Sequence, residues 1–458
     1  MSVERAKLFT SLASQSFFNE NEIEAIYEEV MMTEKKKVIK EAHIYTKKGF
    51  TAINTQGIYH NYLDFAVMEV ERLLKAGHIE EIAEVVSEWQ MPVVMVERHL
   101  NSPMLTLDFK MLNKAVKQSL YPIPNPAEFF STHTSIKYFS TFSIKGGFSN
   151  IPLHESSRVK STFKVQGRKF VFKVLPIGYI NSHVIFQERM DSILDGYAMN
   201  TCLSYYENIV VFSNTIEDHK KDVSDVLCRI KQYGLDIIWE DALLARKEID
   251  LNQIYISGCD GFITPDKASV QKVLSYKIPS SPLDLMQFIS CVHVNRRFIC
   301  NVAEILKPLY VLSHVKECRY QWCNSHENAF KNIRENVTKL NNIYFPNFTD
   351  PFTVQVTVNM HSISAKLTQK YKIIEYASQT LKMPHRSYDC NEKSLHAIVF
   401  ALNRWQQYLE SNSFCLISDY PHMEKYRNSA KCGHSNVFGI THWFYSILDK
   451  YTFTHSLC

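Results

Sequence analysis

The side chains best placed to do chemistry interrupt an apolar run. Ser204-Tyr205-Tyr206-Glu207-Asn208 follows Leu203 and precedes Ile209, Val210, Val211 and Phe212. An unpartnered polar group costs roughly 2–7 kcal/mol to bury. A carboxylate and an amide at the tip of such a hairpin therefore either form an ordinary solvated β-turn or serve something at a cleft, and both readings stand at this point. The 11 cysteines are scattered without a C-x-x-C and read as reduced thiols. Cys318 and Cys323 have histidines nearby but lack the second ligand pair of a zinc site. There is no Gly-x-Ser-x-Gly elbow and no phosphate-cradling glycine loop.

The elements that must position this tip follow from periodicity. Residues 20–42 predict an amphipathic helix with Ile23, Ile26, Tyr27 and Val30 on one face, its Lys35-Lys36-Lys37 run reading as a solvated face. A second helix is predicted over 65–76, with Val67, Val70 and Leu74 inward and Gly77 as its C-cap. A hairpin is predicted over 92–109, and short strands at Tyr138–Phe142, Val171–Val174 and on both sides of the polar tip. Helix over 215–234, a hairpin over 252–264 and mostly helix over 282–340 follow. The last segment runs from a strand at Phe352–Val358 through a helix at Lys393–Leu409 to a strand at Phe414–Ser418. The sum is an α+β multi-domain protein.

Composition agrees. A chain of 458 residues with 45% hydrophobic residues and net charge +4 is neither a disordered nor a polybasic tail. The N-terminus lacks a signal-peptide core and no stretch reaches 18 apolar residues, so the expectation is an intracellular protein, cytoplasmic or nuclear, not secreted and not in a membrane. Glycine, 13 of 458, is well below the usual share of about 7%, which predicts few positions with positive φ.

Further motifs stand in order around the tip. Upstream are Leu107-Asp108-Phe109, Leu112-Asn113-Lys114, Tyr121-Pro122-Ile123-Pro124, Tyr138-Phe139-Ser140, Lys160-Ser161-Thr162-Phe163, Leu175-Pro176-Ile177-Gly178 and Phe186-Gln187. Downstream are Asn295-Arg296-Arg297-Phe298-Ile299, Pro308-Leu309, Trp322, Tyr376-Ala377-Ser378, and Glu392-Lys393 leading into Ala397–Leu402. In this order and at these intervals the set resembles the reverse transcriptase and RNase H region of the polyprotein of gypsy-type LTR retrotransposons, over about 56–450. The resemblance implies a right-hand polymerase with fingers, palm and thumb, followed by an RNase H-like α/β domain. Its expected divisions are an N-terminal helical extension at 1–55, fingers and palm at 56–225, thumb and connection at 226–344, and an RNase H-like domain at 345–458. That last domain is expected to be truncated, because the chain stops at Cys458 before the family's closing His and Asp segment. No aspartic-protease Asp-Thr-Gly or Asp-Ser-Gly, zinc knuckle or integrase His-His-Cys-Cys module is present.

The family's polymerase uses two Mg²⁺ ions held by three aspartates. Two dications about 4 Å apart repel by roughly 17 kcal/mol at an effective dielectric of 20, so carboxylates must screen them. The resemblance places those aspartates on Ser143, Glu207 and Asn208, which lowers the ligand charge from −3 to −1. In the nucleotide pocket it aligns Phe148 with the aromatic that blocks a ribose 2′-OH, Gly178 with the glycine that admits the nucleotide, and leaves Arg98 as the phosphate-binding charge of the fingers hairpin. The RNase H carboxylate positions fall on Thr357, Ser394 and Asp419, so one of three is acidic. The resulting expectation is a retroelement-derived fold that has lost both catalytic centres and carries no metal cofactor, with residual carboxylates at Glu207 and Asp419. RNA, DNA or an RNA–DNA hybrid are the partners the resemblance implies. The alternative is a module that keeps the fold only to bind nucleic acid or protein.

Overall fold

The computed structural model describes residues 3–47, 52–53, 63–82, 88–97, 103–133, 135–251, 253–383, 385–410, 412–421, 423, 447–448 and 450–457. The chain forms two compact units, residues 1–125 with 136–247, and residues 126–135 with 248–458.

The first unit opens with helices α1 (Val3–Ala13), α2 (Glu20–Met32) and α3 (Leu63–Lys75). A capping box between Asn19 and Glu22 starts α2, and Ile23, Ile26 and Val30 are buried. The helix predicted to reach residue 42 ends at Met32. Thr33 turns extended (ψ 120°), and the amides of Lys36 and Lys37 bond instead to the carbonyl of Gln232. Ile39, Ala42 and Ile44 are buried along the extended stretch that follows. Helix α3 ends as predicted at Gly77, whose φ of +71° and amide bond to Leu74 close a left-handed cap. Its inward face is Ala66, Val70 and Leu73, rotated from the predicted one.

Strands β1 (Ile79–Ile82), β2 (Val93–Glu97) and β3 (Pro103–Leu107) follow. Next come β4 (Tyr138–Ile144), β5 (Phe163–Val165), β6 (Arg168–Phe172), α4 (Ser182–Ile193), β7 (Cys202–Tyr205), β8 (Asn208–Ser213), α5 (Ile216–Gln232) and β9 (Ile237–Arg246). β2 and β3 form the predicted hairpin, while β6 joins β1 and β5 in a three-stranded sheet. The main sheet has the order β9-β4-β8-β7 and is antiparallel throughout. Ile209 to Phe212 of β8 are all buried, as a strand covered on both faces requires. One face is covered by α5, capped by Thr215 and packed through Val223, Val226, Leu227 and Ile230.

The second unit has the antiparallel strands β10 (Glu248–Leu251), β11 (Ile254–Ser257) and β12 (Phe262–Pro265), with β13 (Ile343–Tyr344) paired to β12. Between them lies a helical body of α6 (Lys267–Leu274), α7 (Pro282–Val294), α8 (Val302–Ser313) and α9 (Asn324–Thr338), built around Phe288, Leu306, Leu309 and Phe330. A five-stranded sheet follows: β14 (Phe352–Val358), β15 (Ser362–Gln369), β16 (Lys372–Thr380), β17 (Phe414–Ser418) and β18 (Phe453–Leu457), in the order β16-β15-β14-β17-β18. β14 pairs antiparallel with β15 and parallel with β17. Helix α10 (Cys390–Arg404) covers it with Leu395, Ile398, Val399 and Leu402. No helix of the described residues is long and apolar enough to cross a membrane.

Candidate functional site

The polar tip of the first unit is a two-residue turn. Tyr205 and Asn208 face each other across β7 and β8, leaving Tyr206 and Glu207 to reverse the chain. Tyr206 has φ +51°, a conformation that a non-glycine residue adopts only under local compulsion. The adjacent pairing of β8 with β4 sets Asn208 opposite Ser143, and the Ser143 hydroxyl donates to Asn208 Oδ1 at 3.0 Å. The Glu207 carbonyl accepts from the Ile144 amide at 2.9 Å. Its carboxylate lies over the 3-10 turn Gly147–Asn150: a methyl group at Gly147 would fall 1.6 Å from Glu207 Oε1. Gly147 (φ +42°) is therefore held as glycine by its backbone, while the flexible Glu207 side chain above it is free to swing aside.

The three positions Ser143, Glu207 and Asn208 are thus brought together, while the Asp191 carboxylate near the hairpin is used elsewhere. Asp191 on α4 accepts from Tyr121, Gln187 and Ser204 at 2.8–2.9 Å. Burial, and then this bond to Asp191, push the Tyr121 hydroxyl up to about 12. Among the described residues no group of three or more His, Cys, Asp or Glu side chains is arranged to hold a metal ion.

Phe148 is buried edge-on against His183 and Phe186, with ring centroids 5.0 and 5.3 Å away. His183 in turn meets the Tyr206 ring at 5.1 Å, so an aromatic chain links Phe148 to the tip. Gly178 has φ +93°, and its loop is clamped by Asn113, which donates to the Gly178 carbonyl at 3.1 Å and accepts from the Ile180 amide at 2.9 Å. Arg98 lies outside the described residues. The motif Leu112-Asn113-Lys114 contains this clamp without disclosing it, because its partner is distant in sequence.

Behind the tip, a buried polar cluster ties the same strands together. His219 of α5 is fully buried and hydrogen-bonds Ser140 of β4 at 2.8 Å and Ser213 of β8 at 2.9 Å. Ser213 donates to Asp222 at 2.6 Å, and Ser140 accepts from the Ala245 amide at 2.9 Å. A neutral ring with its proton on Nδ1 satisfies every member, and burial pushes the His219 pKa down to about 4.

In the second unit Thr357 is exposed on β14 opposite Ser364. The parallel register Gln355↔Ile417, carried two residues further, sets Thr357 level with Asp419, which is exposed just past β17. Ser394, in the first turns of α10, is buried and bonds the carbonyl of Cys390. Outside both sites, Cys323 contacts Ser325 and His326, and among the described residues no second ligand pair joins them.

Comparison with known proteins supplies the context. A family model described as reverse transcriptase (RNA-dependent DNA polymerase) matches residues 101–248, and one described as an RNase H-like domain found in reverse transcriptase matches 322–416. The chain is 28% identical over 363 residues to the retrovirus-related Pol polyprotein from transposon gypsy of Drosophila melanogaster, covering 76% of this chain and 35% of that protein. It is 26% identical over 359 residues to the transposon Tf2-7 polyprotein of Schizosaccharomyces pombe, covering 77% and 26%. It thus spans about a third or less of these relatives. The fold matches the foamy viral protease-reverse transcriptase dRH in complex with ds DNA with a TM-score of 0.81, at 19% identity, over 100% of this chain and 82% of that one. It also matches the foamy viral protease-reverse transcriptase in complex with RNA/DNA hybrid with a TM-score of 0.77, at 18% identity, over 100% and 63%.

Proposed function

We propose that this chain, a reverse transcriptase and RNase H-like protein of the LTR-retrotransposon type, holds nucleic-acid duplexes without polymerising or cleaving them. One observation carries the reading. Where the resemblance aligns metal-binding aspartates, Ser143 and Asn208 bond to each other and Glu207 is the single carboxylate. A hydroxyl, an amide and one acid do not fit two closely spaced divalent ions, the metal chemistry of this family. The second unit supports the same reading, since Thr357 and Ser394 offer hydroxyls where Asp419 alone is acidic. Duplex binding is favoured by the fold shared with polymerases solved on double-stranded DNA and on RNA/DNA hybrid.

Gel-shift titration of an RNA–DNA hybrid at several salt concentrations tests it. A protein that tracks phosphates loses affinity steeply as salt rises, with a log–log slope of about −0.9 per phosphate neutralised on B-DNA. A steep slope is expected; no binding, or a flat slope, would remove the reading.

A further inference from the structure

The second unit contains a cavity of about 260 Å³ whose charge is not balanced by the protein. Arg296 and Arg297, in the short 3-10 turn Arg296–Phe298 after α7, form one wall. Arg404 at the end of α10 forms another, and Tyr376, Ser378 and Gln379 of β16 contribute polar groups.

The lining holds three guanidiniums and one carboxylate, Glu375. That carboxylate is already committed. Arg404 donates to Glu375 Oε1 at 2.6 and 3.2 Å, and the Trp405 indole donates to Oε2 at 3.0 Å. Glu375 therefore neutralises Arg404, which also lies 3.9 Å from Glu128, and among the described residues neither acid is bonded to Arg296 or Arg297. Arg297 Nε is buried without a hydrogen-bond partner. Adjacent like charges at a cavity wall repel, and a buried donor left unpaired costs about 1–3 kcal/mol. An anion in the cavity offsets the repulsion and offers acceptors to these guanidiniums. Guanidinium groups present planar forks of donors that match phosphate oxygens, whereas a chloride ion would use only one direction of each fork. The cavity is smaller than the roughly 300–1,000 Å³ typical of pockets for drug-sized ligands, which suits a single phosphate group.

We infer that Arg296, Arg297 and Arg404 form a binding pocket for a phosphate group, with Arg296 and Arg297 supplying the free donors. The group is either a free phosphate or the phosphate of a polynucleotide backbone, and the pocket itself does not depend on the duplex-binding reading.

Isothermal titration of inorganic phosphate into the full chain at constant ionic strength is the test, and it contains no nucleic acid. Saturable binding is expected in the wild type, weakened at least about tenfold in Arg296→Gln/Arg297→Gln, since hydrogen bonds to charged groups are worth about 1.5–3 kcal/mol each. Equal binding by the double variant, or no saturable binding by the wild type, would overturn the inference. Should the double variant misfold, Arg296→Gln alone decides, because Arg296 is exposed; it must weaken phosphate binding severalfold, and an unchanged affinity would overturn the inference. Adding an RNA–DNA hybrid separates the sources. Displacement of bound phosphate identifies a backbone phosphate as the occupant, and simultaneous binding identifies a free one; either supports the pocket.

Discussion

Acidification should loosen the strands that carry Ser143 and Asn208 through the buried histidine behind them. His219 is fully buried and its pKa is pushed down to about 4, against about 6.5 in the unfolded chain. Between these two values the unfolded state binds a proton that the folded state refuses, so stability present above pH 6.5 is lost as pH falls toward 4. For a difference of about 2.5 units the total is about 3 kcal/mol, and about 2 kcal/mol of it is lost between pH 7 and pH 5. Asp222, whose carboxyl is raised by burial, titrates in the opposite sense, so the wild-type curve alone is a mixture. Urea unfolding at pH 7 and pH 5 should therefore be compared between the wild type and His219→Gln. The variant is expected to be less stable at pH 7, because an amide cannot span Ser140 and Ser213 as the ring does. Its loss on acidification should be about 2 kcal/mol smaller. Equal losses in the two proteins, or an NMR titration of His219 near 6.5, would refute the reasoning.

Two other substitutions have defined outcomes. Gly147→Ala should destabilise by about 1–3 kcal/mol through its positive φ. Combined with Glu207→Ala, which removes the side chain above it but not the backbone strain, most of that loss should remain, as a urea double-mutant cycle would measure. Arg404→Ala leaves the buried Glu375 carboxylate with Trp405 alone and should cost about 2 kcal/mol after allowing for the partial exposure of the arginine. Adding Glu375→Gln should recover most of that stability in thermal unfolding, and no recovery would show that packing rather than charge was lost.

Much of the fold is legible because local periodicity and burial agree. Phe352–Val358 and Phe414–Ser418 are strands as read, and the Tyr206-Glu207 tip is a hairpin turn because apolar β-runs flank it on both sides. The misread helix end at Met32 has a tertiary cause: the amides of Lys36 and Lys37 go to Gln232, a partner no local pattern reveals. The low glycine content misled more instructively. Left-handed positions are not scarce; Tyr206, Gln166, Lys370 and Tyr371 occupy them, so turn geometry is imposed here by strand pairing on side chains that do not favour it. At the candidate site the alignment of positions was readable. The bond between Ser143 and Asn208 was not, because it depends on the register of β4 against β8. The unbalanced arginines of the second unit were also hidden. Asn295-Arg296-Arg297 lies in a stretch read as mostly helical, and nothing in it discloses that Arg404 and Glu375 line the same cavity.

The central claim, a polymerase fold without its metal chemistry, is tested most directly by primer extension on an RNA template with purified protein, in Mg²⁺ and in Mn²⁺. The expected result is no templated incorporation by the wild type in either metal. Incorporation by the wild type that disappears in Glu207→Ala would contradict it.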